Sequence, residues 1–290
     1  MDGIVFIDKD IDYTSKDISM MVGKRFNTTK VGHVGTLDPF ASGLLMVMVN
    51  KATKTLICFE DFPKEYEATI KLGEFKDSMD ITGNTVETVD IPNLTKEKIE
   101  NTLKSFVGKS IQTVPLTSAV HVNGKRLYEY AHRGKTVELP TREIEVFDIK
   151  LLGFTSDEIT FRVSVSKGTY IRVLGETIAE KLGTVGHLTS LRRTKILDID
   201  VTKAKTIKEL KEDDLLPIAD IVKEFLPTAI LSIPSEIKKA RHGGKLSLKL
   251  FPNRLDTFCV MDDKNHAIAI YKYSELGYYE CIRGIDNEDY

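Results

Sequence analysis

Apolar and polar positions recur along this chain with two periods, and the switches between them mark out its elements. Residues 3–8 (Gly-Ile-Val-Phe-Ile-Asp) form an apolar run suited to a buried strand, and Thr14-Ser15 stands as a cap before an apolar-periodic helix reaching residue 22. Residues 44–49 (Leu-Leu-Met-Val-Met-Val) read as a fully buried strand, with a short helix predicted over 52–59. Residues 65–72 alternate polar and apolar, the mark of a half-buried strand. Thr95 caps a helix in which Ile99, Leu103 and Phe106 fall in phase, closed by Gly108. Strands return at 144–152 and 159–166. Helices follow at 171–182, ended by Gly183, and at 217–226, with Pro217 as first helical residue and Pro227 as the stop.

Residues 114–145 break this regularity. The stretch is rich in Gly, Pro, Lys, Arg and Tyr and reads as an insertion presenting side chains outward. From about residue 229 the chain returns to short strand-like runs at 258–260, 267–273 and 278–282. A domain boundary near 228 therefore separates residues 1–228 from a small β-rich module over 229–290.

With 290 residues and 41% hydrophobic content the chain can bury a sizeable core, which excludes a disordered or fibrous class. The longest apolar run is far short of the roughly 20 residues that span a bilayer, and the start Met1-Asp-Gly-Ile lacks the positive stretch of a signal peptide, so a cytoplasmic protein is expected. Cys58, Cys259 and Cys281 are scattered and cannot all pair, which disfavours a disulfide framework or a zinc site. A net charge of -2 and a pI near 6.3 confine any nucleic-acid role to local basic patches. No phosphate-binding loop, zinc-protease motif or serine-hydrolase elbow is present.

One segment stands out chemically. Asp38 lies among Gly32, Gly35 and Gly43 and is followed at once by Pro39, so the backbone is permissive of unusual dihedrals and of close ligand approach. An Asp-Pro turn leading into the buried strand accounts for these residues equally well.

Gly32-His-Val-Gly-Thr-Leu-Asp-Pro-Phe-Ala-Ser-Gly-Leu-Leu45 resembles the signature of the TruB family of tRNA pseudouridine synthases. Further landmarks keep the family's order: Ile7-Asp-Lys9, Tyr66, Gly124-Lys-Arg-Leu-Tyr-Glu-Tyr-Ala131, Ser166-Lys-Gly-Thr-Tyr-Ile-Arg172 and Leu191-Arg-Arg193. The resemblance implies an α/β (α+β) pseudouridine synthase fold with a mixed, largely antiparallel central sheet, plus a C-terminal PUA-like module over 229–290. It implies isomerisation of the T-loop uridine (position 55) of tRNA to pseudouridine, a reaction that needs a nucleophile but no cofactor or metal.

On this resemblance Asp38 is the nucleophile, attacking the ribose or the uracil ring. Arg172 pairs with it, orients it and keeps it ionised. Tyr66, counted with Asp38 and Arg172 as catalytic, stacks on the target base and serves as a candidate base for deprotonating the sugar or ring. His33 takes over the stacking lost when the uridine is extruded, and Leu191 forms an apolar wall. On residue type alone, Tyr66 and Leu191 fit the core, His33 fits a histidine bonded within its loop, and Arg172 a surface arginine in a helix's first turn. Lys125, Arg126, Tyr128, Tyr130, His132, Arg133 and Lys135 of the insertion fit an RNA-facing surface, as do Arg192, Arg193 and Lys195, with Lys9 beside the catalytic loop.

The chain departs from the family pattern at Lys9-Asp10-Ile-Asp12, where the family has proline and glycine in place of the two aspartates. It departs again at Pro115-Leu-Thr117-Ser118-Ala119, where a tyrosine is absent. The expected partner is the T-stem-loop of tRNA, met by a monomer with no obligate protein partner and no membrane. Two rival functions are a guide-RNA-dependent synthase resembling dyskerin and an RNA-binding or tRNA-folding chaperone.

Overall fold

The structure is a computed structural model and describes residues 1–59, 61–133 and 136–286, without the side chains of Ala131 and His132. Strand β1 (Gly3–Lys9) leads to helix α1 (Ser15–Arg25), then β2 (Val31–Val34) and β3 (Ser42–Val49). Thr14 caps α1: its hydroxyl accepts from Asp17 N at 3.0 Å, and Asp17 accepts from Thr14 N at 2.9 Å. The helix expected at 52–59 is instead a 3-10 helix over Asn50–Cys58.

Next come β4 (Lys64–Leu72), a hairpin of β5 (Glu74–Lys76) and β6 (Thr85–Thr88), α2 (Lys96–Lys104) and β7 (Gly108–Thr113). The insertion folds as a small hairpin, β8 (His121–Val122) and β9 (Lys125–Arg126), with α3 (Leu127–His132) behind it. Asn123 and Gly124 both take positive φ at its tip, 51° and 77°, as a tight two-residue turn requires. Then follow β10 (Thr141–Phe154), β11 (Glu158–Val165), α4 (Ile171–Leu182), β12 (Gly186–Ile196) and β13 (Ile199–Asp200).

These strands build one central sheet in the order β1-β3-β12-β4-β11-β10-β7, with β2 on β3 and β13 on β12. Its pairings are antiparallel except where β12 meets β3, a parallel seam of two residue pairs, Arg192 with Ser42 and Arg193 with Gly43. Strand β4 buries every second residue from Lys64 through Tyr66, Ala68 and Ile70 to Leu72, and α2 and α4 cover that face. On β1 and β3 one set of alternate residues (Val5, Ile7, Leu45, Val47) packs on α1, and the other (Ile4, Phe6, Leu44, Met46) faces the opposite side.

Helix α5 (Ile218–Phe225) leads into the C-terminal module: β14 (Thr228–Ile230), α6 (Pro234–Arg241), β15 (Leu246–Ser247), β16 (Thr257–Met261), β17 (Ala267–Ser274) and β18 (Tyr278–Gly284). Pro217 sits at the N-cap of α5 rather than inside its first turn. Helix α6 replaces part of the strand-like run expected after 229, with Pro234 in its first turn and Lys238, Lys239 and Arg241 in its last.

The chain passes into the module near residue 228, but the core does not divide there. Ile4, Phe6, Leu44, Met46 and Phe59 share one buried cluster with Phe225 of α5 and with Cys259, Met261, Ala267, Ile270 and Ile285 of the module. Across the same join, Lys51 Nζ lies 2.9 Å from Asp286 Oδ1, and Lys54 Nζ donates to Ile285 O at 2.9 Å.

The aspartate loop after β1 keeps a glycine-like shape: Asp12 takes φ 70° and its N–H donates to Pro39 O at 2.8 Å. Left-handed backbone is costly for a residue with a Cβ, though aspartate tolerates it better than most. Asp12→Gly is therefore expected to stabilise the fold by about 0.5 kcal/mol. A urea midpoint that stays put or falls would show that the Asp12 side chain contributes more than its backbone costs.

Candidate active site

Asp38 sits on the loop between β2 and β3, and that loop is held from several directions. Gly35 enters it at φ 65° and Gly43 leaves it at φ 103°. A Cβ at Gly43 would stand 2.3 Å from Arg193 O, so the close approach of β12 requires glycine there. Ser15 Oγ accepts from Leu37 N at 2.8 Å and donates to Leu37 O at 3.1 Å. Ala41 N donates to Asp38 O at 3.1 Å, closing the turn over Pro39.

The Asp38 carboxylate meets Arg172 side on. Arg172 Nε lies 2.9 Å from Oδ2, and Nη2 donates to Oδ1 at 3.4 Å. The Asp38 side chain is 35% exposed while that of Arg172 is 4% exposed, so an accessible carboxylate rests on an enclosed cation. Arg172 is far from a surface arginine: Nη1 donates to Ser78 O at 2.8 Å and to Thr117 Oγ1 at 2.7 Å, and lies 3.5 Å from Asp80 Oδ2. Asp80 is buried in turn, its Oδ1 accepting from Ser78 Oγ at 2.8 Å, Thr82 N at 2.9 Å and Thr82 Oγ1 at 2.5 Å.

Asp80, Ser78, Thr117 and Ser15 were not legible as site residues. Asp80 stands in a polar Ser-Met-Asp-Ile-Thr-Gly turn that carries no sign of a partner 92 positions away. Thr117 occupies the segment where the resemblance expects a tyrosine, and it offers Arg172 a hydroxyl oxygen instead.

Burial raises the pKa of Asp38 above the usual carboxylate value. Arg172 pulls against this, Asp80 adds to it, and Lys9 pulls the other way without reversing it. The expected pairing with Arg172 is thus present, but its effect does not outweigh desolvation. Relative to the unfolded chain, folding favours the protonated form, so this group's contribution to stability is present below its ordinary pKa and lost as pH rises through the folded one. If the ionised carboxylate reacts, activity falls on the acid side with a midpoint above that of a free aspartate. A pH–rate profile of kcat with its acid limb at the free-aspartate value would contradict this.

Tyr66 is 8% exposed and Leu191 is 6% exposed, and both share a cluster with Leu37, Phe40 and Ala41 of the Asp38 loop. His33 Nδ1 is 2.9 Å from Ser19 Oγ and Nε2 is 3.4 Å from Thr36 Oγ1, so its ring is bonded within its surroundings. Burial, and then the Arg193 charge, lower its pKa and favour the neutral imidazole.

Two expected RNA-facing cations lie inside the protein. Lys9 is fully buried, and its Nζ donates to Tyr13 O at 2.7 Å, Asp10 O at 2.9 Å and Pro39 O at 3.3 Å. Burial lowers its pKa to about 8, against Asp38, Asp10 and Asp12, which raise it. Arg193 is also fully buried, because the parallel seam directs it beneath the Asp38 loop rather than outward.

Arg192 is partly exposed and grips Asp8 with both ends of its fork, at 2.9 and 2.7 Å. Lys125, Arg126 and Arg133 are exposed and Tyr128 half-buried, with the Arg126 guanidinium 5.9 Å from the Tyr128 ring centre. Lys135 and the side chain of His132 lie outside the described residues. Among the described residues there is no group of three acidic, histidine or cysteine side chains placed to hold a metal, and no helix long and apolar enough to cross a membrane.

Residues 24–171 match the family model described as TruB family pseudouridylate synthase (N terminal domain). A "tRNA pseudouridine synthase B" of Hydrogenovibrio crunogenus is 39% identical over 86% of this chain and 82% of its own length. A protein of the same name from Caldicellulosiruptor saccharolyticus is 39% identical over 86% and 85%. Among solved structures, a chain of a Cbf5-Nop10-Gar1 complex superposes with a TM-score of 0.71 at 27% identity, covering 93% of this chain and 78% of that one.

Proposed function

The chain belongs to the TruB family of pseudouridylate synthases, and from that premise we propose that it is a tRNA pseudouridine synthase converting the T-loop uridine at position 55. The observation that carries this reading is the accessible Asp38 carboxylate clasped from below by the enclosed Arg172 guanidinium. A carboxylate so held is fixed in direction while one face stays open to substrate.

In the proposed mechanism the target uridine is extruded from its loop onto the open face of Asp38. Tyr66 and Leu191 supply the surface against which the base lies, and the neutral His33 stacks in the place it left. Asp38 attacks as the ionised nucleophile, on the ribose anomeric carbon or the uracil ring, so that the glycosidic bond breaks. The uracil then turns and rejoins through C5, and the carboxylate leaves. The C5 proton passes to a base, the role given to Tyr66, and N1 takes up a proton, so that the product is an isomer of the substrate. Arg172 orients the nucleophile, and Asp80 fixes Arg172 while balancing its charge. No step draws on redox chemistry or a bound nucleotide.

The exposed Lys125, Arg126 and Arg133 meet the phosphates of the T arm, with Tyr128 available to stack. The protein acts in the cytoplasm, as a monomer without a guide RNA or protein partner. Relatives at 39% identity carry the tRNA enzyme's name, while the Cbf5 complex resembles the chain at 27%. Purified protein incubated with unmodified tRNA or T-arm RNA, with product mapped by nucleoside chromatography, tests the reading. Turnover without partners supports it, and turnover only in the presence of a guide RNA favours the dyskerin-like alternative.

A further inference from the structure

Arg193 is a buried cation with no carboxylate within salt-bridge distance among the described residues, an arrangement that costs stability unless its donors are well used. Its Nε donates to Leu44 O at 2.6 Å and its Nη2 to Gly35 O at 3.0 Å. Those two carbonyls stand on either side of the loop that carries Asp38. Among the described residues the third nitrogen, Nη1, has no hydrogen-bond partner, and it lies under Gly35, where a Cβ would come within 3.1 Å of it.

The backbone takes part as well. The parallel seam sets Arg193 opposite Gly43, and the missing Cβ at Gly43 is what admits it. One residue therefore fixes both ends of the loop, in a span that only a planar fork with divergent donors bridges.

We propose that Arg193 is a positioning residue for the reaction at Asp38, a brace whose guanidinium sets the separation of Gly35 and Leu44 and so the direction of the nucleophile. It touches no substrate and acts through the loop. Small displacements of a nucleophile are costly: about 1 Å of misplacement can lower a rate about 100-fold. Its charge has a second effect, helping to keep His33 neutral.

This inference rests on Asp38 being the nucleophile, so Asp38→Asn is the reference. Arg193→Lys retains charge and most of the volume but cannot reach both carbonyls. Its single-turnover rate on tRNA is expected to fall at least about tenfold, with the dissociation constant for tRNA unchanged. Amide exchange across residues 35–44 should quicken while the rest of the central sheet keeps its protection.

A wild-type rate in Arg193→Lys beside an inactive Asp38→Asn overturns the brace and leaves the function standing. A loss confined to tRNA affinity also overturns it. Full turnover by Asp38→Asn would instead remove the functional reading itself. Arg193→Gln, with a planar group but no charge, is the second variant. If neither variant folds, the positioning role is overturned in favour of a purely structural one.

Discussion

Asp38→Asn is expected to lower pseudouridine formation by at least about 10,000-fold, the scale on which removing a covalent nucleophile acts. The substitution is nearly isosteric, and the amide oxygen still accepts from Arg172, so the loop keeps its shape. Binding of unmodified tRNA should change by less than about threefold, because phosphate contacts dominate affinity and Asp38 makes none of them. Product formation and filter binding on one preparation separate the two effects. Undiminished turnover would exclude Asp38 as nucleophile, and parallel loss of binding would make it a substrate contact.

The second large effect belongs to Arg172. Arg172→Met strands Asp80, which is 4% exposed, as a buried charge without its cation. Breaking a buried pair in this way typically costs about 3–5 kcal/mol. Arg172→Lys spares part of that but loses the fork that reaches Asp38, Asp80, Ser78 and Thr117 together. A rate loss of about 100- to 1,000-fold is expected for it, the scale of losing one preorganised electrostatic contact. With the pairing weakened, burial acts on Asp38 less opposed, so the acid limb of its pH–rate profile moves to higher pH. An unmoved acid limb would show that Arg172 does not influence the ionisation of Asp38.

The strands and helices with clean periodicity, such as β4 and α4, stand where the alternation of residues 65–72 and the phase of 171–182 place them. Strand β12 was not legible. Bulges near Ser190 and Lys195 break its alternation, and its buried Arg193 reads as a surface residue in any hydropathy scale. Helix α6 was missed for a different reason: eight residues with a single buried side chain carry little helical signal.

The site shows the same division. The loop bearing Asp38 and the motif bearing Arg172 are contiguous and could be quoted as segments. Asp80 and Thr117 reach the site through single side chains in polar turns, and Ser15 through one at the start of α1, and only the folded chain shows whom they meet. Lys9 and Arg193 mislead in the opposite direction, because charge on a one-dimensional string says outward while their bonds to backbone carbonyls hold them in.

The core shared by β1, β3 and the C-terminal module has one more consequence. The module is welded to the sheet that supports the Asp38 loop, so the two cannot part near residue 228 without opening that cluster to water. A chain cut there would lose one wall of the core beneath β1 and β3, not a detachable appendage.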